Sequence, residues 1–484
     1  MQAHPADLLL RGATVVGTRD GSLHPGTDVL VQRGVITSVG PGLTPPDGTT
    51  TVDARGRYLV PGYNDMHAHP LGRGGDVAAT LELMLAHGIT GYRQMSGSLD
   101  LLQARTEGRL TFPQASPALL AMPGPLLTML NTATPEQAAA TVREQVAAGA
   151  DFVKSAAMTK ERFFDAQAEA LRLGRPIVGH LPGGIDVLKV SRLGMRSIEH
   201  FGSGLGVLAC CSSEEEAVQR AAGARQRLGL PTVKLPFMDR AMDKAMDAVV
   251  RRAVRRVVLN PVNLNKPDDI AILDHAVRTY DEGRTRALAA HFAADGTWHV
   301  PTMIRQKTSK LCDDPAFATD PDLRYMAPAT LKTWHRVVAR FRKRFTAGQR
   351  ATLAASHRHE YDMARIFDES GVRMLVGTDS SGAVWVVPGA ALHDEIDLLA
   401  EAGIPPLRLL RMLTLYAAEF LEATDRMGTV EPGRNADLVL LDANPLDDAA
   451  NLHRVVGVVR AGRYCSAADL TRIKDRLATT RTID

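Results

Sequence analysis

Between about residue 60 and residue 380 of this 484-residue chain, short apolar runs alternate with segments of helical pattern. Few folds accept that order, because repeated strand–helix units bury both faces of a parallel sheet. The helix from Thr134 to Ala148 is the clearest element: Thr134 caps it, Pro135 suits the first turn, Gln137 completes a capping box and Gly149 marks the stop. The candidate strand Ala150-Asp151-Phe152-Val153-Lys154 follows at once. A second helical stretch from about Lys160 to Gly174 leads into Ile177-Val178-Gly179-His180, and a short helix leads into Ser197-Ile198-Glu199-His200. Three successive strand ends therefore carry Lys154, His180 and His200, and barrel enzymes assemble their chemistry at the C-terminal ends of several strands.

The next barrel strand, Trp298-His299-Val300-Pro301-Thr302-Met303, comes only after a stretch far longer than a usual helix and loop. The sequence therefore predicts a helical insertion near 203–296. Within it Arg251-Arg252-Ala253-Val254-Arg255-Arg256 reads either as a basic binding patch or as a solvated helix face. A second long charged helical segment, from about Lys307 to Ser370, precedes the last strand, Arg373-Met374-Leu375-Val376-Gly377-Thr378. Strand signals also crowd both ends: Leu8-Leu9-Leu10, Asp28-Val29-Leu30-Val31 and Val35 to Val39 after a turn at Arg33-Gly34, then Ala436 to Asp442 and Val455 to Gly462. Neither end is large enough to bury a core alone, so pairing them is the economical solution. The expected fold is α/β: a (β/α)8 TIM-like barrel over 61–426, with a small, largely antiparallel β-sandwich built from 1–60 and 427–484.

Composition narrows the partners. Apolar residues at 45% and charged residues at 23% fit an ordinary soluble protein, and a formal net charge of +3 is too small to argue for nucleic acid or an anionic membrane. No apolar run reaches the roughly 18 residues of a membrane span, and Met1 to Asp7 lack the pattern of a secretory signal. Cys210, Cys211, Cys312 and Cys465 show no C-x-x-C spacing and read as buried thiols of a reducing compartment. A cytoplasmic homo-oligomer acting on a small molecule, with no nucleic-acid or membrane partner, is the expectation.

The sharpest local signal is Val60-Pro61-Gly62-Tyr63-Asn64-Asp65-Met66-His67-Ala68-His69-Pro70. Residues i and i+2 of a strand share a face, so His67 and His69 can reach one ion, and imidazole suits zinc and its neighbours. A bare H-x-H is equally compatible with two unrelated histidines. His357-Arg358-His359 is an internal comparison: it lies in a helical pattern, where i and i+2 diverge, and reads as structural or solvent-facing.

The run Leu59-Val60-Pro61-Gly62 before His67-Ala68-His69, the strand ending at Lys154, Gly179-His180, Glu199-His200 and Val376-Gly377-Thr378-Asp379 together resemble the amidohydrolase superfamily. So do Gly428-Thr429-Val430-Glu431-Pro432-Gly433, Ala436 to Leu440 and Asn444-Pro445-Leu446. The nearest texture is the branch of metal-dependent amidases, Xaa-Pro dipeptidases and imidazolonepropionase-like enzymes. The resemblance implies a metal centre at the barrel mouth, with His67 and His69 from the first strand, Lys154 from the fourth, His180 from the fifth, His200 from the sixth and Asp379 from the eighth. It implies two divalent ions, most simply Zn2+, bridged by a Lys154 carboxylated by CO2. It further implies a metal-bridging hydroxide that cleaves an amide or related C–N bond of an N-acyl amino acid, dipeptide or lactam, with Asp379 as the catalytic proton carrier. Lys154 as an ordinary lysine and Asp379 as a helix N-cap stay open. So does a one-metal deaminase, although Leu181-Pro182-Gly183-Gly184 after His180 lacks the carboxylate such enzymes usually carry. A non-catalytic scaffold is the third reading, disfavoured because all six ligand positions are filled. Arg305, Lys307 and Trp385 are candidates for substrate contact.

Overall fold

A computed structural model describes residues 6–72, 75–226 and 259–483. The basic run Arg251–Arg256 and the centre of the expected insertion lie outside the described residues.

The two ends of the chain meet in one sheet of eight strands. β1 (Leu8–Val16), β2 (Leu23–Gln32), β3 (Val35–Gly40), β4 (Thr50–Asp53) and β5 (Tyr58–Pro61) come from the front, and β14 (Leu438–Leu441), β15 (Val455–Arg460) and β16 (Arg463–Ser466) from the back, in the order β16-β15-β14-β5-β1-β2-β3 with β4 beside β1. The junction is the antiparallel pair β5·β14, which sets Leu59 opposite Leu440 and Val60 opposite Val439. Leu8, Leu10, Val29, Val31, Leu59 and Leu440 fill the core of this body. Arg33 and Gly34 turn β2 into β3 with φ of 51° and 81°, the two positive values that a type I′ hairpin needs. The sheet is mixed where an antiparallel one was expected, since β1 runs parallel to both β4 and β5. β1 also extends six residues past Leu10, broken by register shifts between Leu10 and Ala13 and between Ala13 and Val15.

The barrel is made of two all-parallel arcs. One is β6 (Tyr63–Ala68), β7 (Ile89–Gln94) and β8 (Ala118–Ala121); the other is β9 (Leu127–Thr128), β10 (Val153–Ala157), β11 (Ile177–Gly179), β12 (Ser197–Glu199) and β13 (Trp298–Val300), in the order β13-β12-β11-β10-β9. The Asp151 amide donates to the Met122 carbonyl at 3.1 Å and joins the arcs on one side. On the other side the extended segment 373–380 closes the ring, its Leu375 amide donating to His299 at 2.9 Å while its Val376 carbonyl accepts from Met66 at 2.9 Å.

That closing segment occupies the eighth position, but with isolated bridges (His299 to Met374, Ala68 to Ser380) instead of the regular strand expected. Gly377 shows why. A Cβ there would lie 2.6 Å from the His67 Cβ and 2.7 Å from Val300 Cγ1. The segment therefore presses onto β6, and both the Thr378 and Asp379 amides converge on the His67 carbonyl at 3.1 and 2.7 Å. Asp65 clamps the same seam: its Oδ2 accepts from Thr378 Oγ1 at 2.6 Å and its Oδ1 from the Thr378 and His67 amides, both at 3.1 Å. Inside the barrel Met66, Met95, Val178, Trp298, Val300 and Leu375 pack together.

Helices cover the barrel much as the pattern required. The helix Pro135–Ala147 is capped by the Thr134 hydroxyl, but the Gln137 side chain reaches the Ala133 amide, one residue short of the expected box. Lys160–Arg172 follows β10, and the expected insertion contributes Glu215–Gln226, Pro267–Arg278 and Glu282–Asp295 to the described residues. The expected strand through Met303 stops at Val300, because Pro301 and a left-handed Thr302 (φ 48°) turn the chain into the helix Met303–Lys310. His357 and His359 lie on the helix Ala347–Glu369, paired with Glu360 and Asp362 respectively, in the structural role expected of them. Cys210, Cys211 and Cys312 are buried thiols, whereas Cys465 is only half-buried. No described helix is long and apolar enough to cross a membrane.

Gly377→Ala is expected to lower stability by about 1–3 kcal/mol, the usual cost of overpacking a tight site. A urea unfolding curve with unchanged slope and a lower midpoint would report it; an unchanged midpoint would mean that the seam has room to relax.

Candidate metal centre

The six positions singled out in the sequence come together at one end of the barrel. His67 is on β6 and His69 just beyond it, Lys154 is on β10, His180 and His200 directly follow β11 and β12, and Asp379 lies on the closing segment. The ligand atoms of His67, His200 and Asp379 all lie within 4.8 Å of one another. Asp379 Oδ1 is 3.2 Å from His67 Nε2 and 2.9 Å from His69 Nε2. Lys154 Nζ is 3.0 Å from His67 Nε2, and the His180 ring centroid is 5.1 Å from that of His200. The strand geometry of the H-x-H pair thus aims both imidazoles at one carboxylate oxygen.

The far side of three of the four imidazoles is occupied, which fixes what their near side offers. His67 Nδ1 donates to Glu199 Oε2 at 2.6 Å, so Nε2 faces the centre with its lone pair. Glu199 is in turn held by Arg93 Nη2 at 2.9 Å and by the Ser197 hydroxyl. His69 Nδ1 meets Ser96 Oγ at 2.8 Å, and His200 Nδ1 meets the Thr302 hydroxyl. Burial pulls His69 down to about 4, His180 to about 3 and His200 well below the ordinary imidazole value, so these three are neutral, the ligating form. Burial also works to raise Asp379, but its close contacts with the His67 and His69 imidazoles outweigh it and hold the carboxyl well below the usual range. Burial lowers Lys154 to about 8 against the opposing pull of Asp379 and Glu199.

Imidazole and carboxylate donors gathered in this way match the nitrogen and oxygen set that zinc and related divalent ions accept. The backbone is strained where the donors are presented: His200 has φ 56°, Thr302 48° and Asp379 57°. Non-glycine residues in that region cost on the order of 1–3 kcal/mol each and persist where the surroundings impose them.

The three candidate substrate contacts fare differently. Arg305 is buried on the helix Met303–Lys310, with Nε 3.0 Å from Asp379 Oδ2 and Nη1 donating to the Leu259 carbonyl at 3.0 Å, so it orients the carboxylate from behind. Lys307 is half-buried on the same helix. Trp385 is buried against Trp334, its indole N–H donating to the Cys312 carbonyl at 2.9 Å, which makes it a core residue. Sequence reasoning gave no role to Glu199, Arg93, Ser96 or Thr302. Glu199 was visible beside His200, and Arg93 stood out only as a charge inside the otherwise uncharged run Ile89–Gln94.

Glu199→Gln keeps the shape and a weaker hydrogen bond to His67 but removes the charge. It is expected to weaken divalent-metal affinity roughly 10–100-fold, the usual effect of losing a partner behind a ligating histidine. Competition against a chromogenic chelator measures this directly, and unaltered affinity would detach Glu199 from the centre.

The family model described as "Amidohydrolase family" matches residues 269–465. Adenine deaminase 3 of Rhizobium meliloti is 45% identical over 71 residues, which are 14% of this chain and 12% of that protein, so the match spans about an eighth of the curated relative. Among solved structures, bottromycin amidohydrolase superposes with a TM-score of 0.68 over 99% of this chain and 92% of its own, at 23% identity. A structure described as a putative prolidase from Bifidobacterium longum gives 0.59 over 98% and 100%, at 20% identity. The barrel with its terminal sheet shares the fold of these solved structures, and residues 269–465 match the amidohydrolase family model.

Proposed function

We propose that this protein is a metal-dependent hydrolase that cleaves a C–N bond of a small molecule, using one divalent ion held by His67, His200 and Asp379. The carrying observation is the convergence of those three side chains within 4.8 Å from two barrel strands and the closing segment. A bound ion, zinc by its donor preference, would supply Lewis acidity and bring the pKa of water toward about 7. The remaining work falls to the chain. Glu199 keeps His67 Nε2 turned inward. Arg305, fixed on Asp379 Oδ2, orients the carboxylate that takes the proton from the attacking water and passes it to the leaving nitrogen. His69 and His180, neutral and close by, line the place where the substrate's electrophilic carbon must sit.

With a single ion the simplest reaction is deamination, the activity named for the Rhizobium meliloti relative. A ring nitrogen then needs a proton donor. The sequence after His180 offers none, but Lys154, an ammonium group buried 3.0 Å from His67 Nε2, is placed for that role. The same lysine supports a second reading. Carboxylated by CO2, it would become a two-oxygen ligand able to serve two zinc ions, and the substrate would be an amide of the N-acyl amino acid, dipeptide or lactam type, in line with the prolidase name among the similar folds.

Metal analysis of the zinc-loaded full chain, 13C NMR after exposure to labelled bicarbonate, and a substrate panel separate these readings. The expected result is one tightly held ion, no carbamate signal and ammonia release from aminopurines or aminopyrimidines. Two ions with a carbamate signal and cleavage of N-acyl amino acids, Xaa-Pro dipeptides or lactams would install the second reading. His67→Ala and Asp379→Asn should each lower turnover by at least about a hundredfold while leaving the circular dichroism spectrum unchanged. His357→Ala should stay within a few-fold of the parent, and an inactive His357 variant would sink the choice of H-x-H pair.

A further inference from the structure

Three histidines gather at the opposite end of the barrel. His87 ends the helix Val77–Ala86 as its C-cap, His393 lies one turn before Asp397 on the helix Ala390–Glu401, and His453 closes the 3-10 turn Ala449–His453. The ring centroids of His393 and His453 are 4.7 Å apart, and those of His87 and His393 5.5 Å. Tyr63 packs edge-on against His393 at 6.5 Å, which puts the group beside the first residue of β6, whereas His67 lies near the other end of that strand.

A neutral imidazole has one N–H and one lone pair, and a buried nitrogen without a partner costs about 1–3 kcal/mol. His393 Nε2 donates to the His87 carbonyl at 3.0 Å, so His393 Nδ1 carries the lone pair. That Nδ1, His87 Nε2 and His453 Nε2 are all shielded from solvent, and none has a hydrogen-bond partner. Asp397 Oδ1 makes an ion-pair contact of 3.0 Å with His453 Nε2 that does not meet hydrogen-bond geometry. His393 and Asp397, four residues apart, share one helix face. Nitrogen and oxygen ligands about 2.1 Å from a tetrahedral ion are separated by about 3.4 Å, close to that approach.

We propose that His87 Nε2, His393 Nδ1, His453 Nε2 and Asp397 Oδ1 form a second divalent-cation site, structural in role and distinct from the barrel-mouth centre. Lys474 and Arg324 bring positive charge to His87, while Asp320, Asp322 and Asp397 bring negative charge to Asp394 on the same helix as His393. No three of these four ligand atoms lie within 4.8 Å of one another, unlike those of His67, His200 and Asp379. An ion therefore draws the half-exposed His453 turn inward onto the buried His87. It ties together the helix after β6, the helix after the closing segment and the turn before β15, three segments remote in sequence. Three imidazoles and one carboxylate favour zinc or cobalt over magnesium or calcium.

Cobalt reads the site without enzymatic turnover. The full chain carrying His67→Ala with Asp379→Asn, which lacks the barrel-mouth triad, should still take up one Co2+ per chain and show the visible absorption of a tetrahedral cobalt site. Adding His453→Gln and Asp397→Asn should remove both the ion and the absorption. In the otherwise unaltered chain, His453→Gln with Asp397→Asn changes only partly exposed side chains and should lose one zinc per chain, lose the rise in unfolding temperature that added zinc gives, and keep its turnover. A triad-deficient chain that binds no cobalt, or a four-fold variant that binds as much as the two-fold one, overturns the site. Equal zinc content in the parent and the His453/Asp397 variant does the same.

Discussion

A carboxylate with no solvent exposure sits at the middle of this molecule. Glu199 cannot remain ionised there alone, since burying an unpaired charge costs far more than any single contact returns. Three partners resolve the problem: Arg93 from below, itself fully buried and stacked over Phe420, the Ser197 hydroxyl beside it, and His67 from above. The barrel interior and the candidate centre thus share one buried charge network. The strand β12 that carries Glu199, the strand β7 that carries Arg93 and the strand β6 that carries His67 are fixed relative to one another by it. Such networks pin a geometry because every partial version leaves a charge unanswered.

A parallel arrangement holds the other half of the centre. The buried Glu395 carboxylate accepts from the Ile304 amide at 2.8 Å, at the start of the helix Met303–Lys310. Burial pushes that carboxyl up to about 8, so it is protonated near neutrality and still caps the helix. The helix delivers Arg305 to Asp379, and the strained Thr302 before it meets His200. Asp379 and His200 are therefore positioned by one short element, whose placement depends on a residue on the helix Ala390–Glu401.

How much of this was legible in the sequence follows from the range of each interaction. The strand ends carrying His67, Lys154, His180 and His200 were readable because a strand followed by a capped helix is a local pattern, and spacing by two within a strand fixes a common face. The helical setting of His357 and His359 was readable for the same reason. The eighth barrel position was expected as a strand because its residues are apolar; its irregularity comes from the approach of Gly377 to His67 across the seam, which no local signal encodes. Likewise the parallel pairing of β1 with β4 and β5, the burial of Trp385 and the capture of Arg305 by Asp379 depend on contacts between segments distant along the chain.

The antiparallel pair β5·β14 sets an order on assembly. Gly62 alone separates β5 from β6, so the strand bearing His67 enters the barrel directly from the terminal sheet, and the Gly62 amide itself donates to the Asp437 carbonyl at 2.8 Å. During synthesis the first barrel strand emerges long before residues 438–441 exist to flank its approach. Contacts of such sequence separation are slow to form and leave early strand edges exposed meanwhile. The nascent chain thus has to keep β5 unpaired on its β14 side until nearly all of the barrel has left the ribosome.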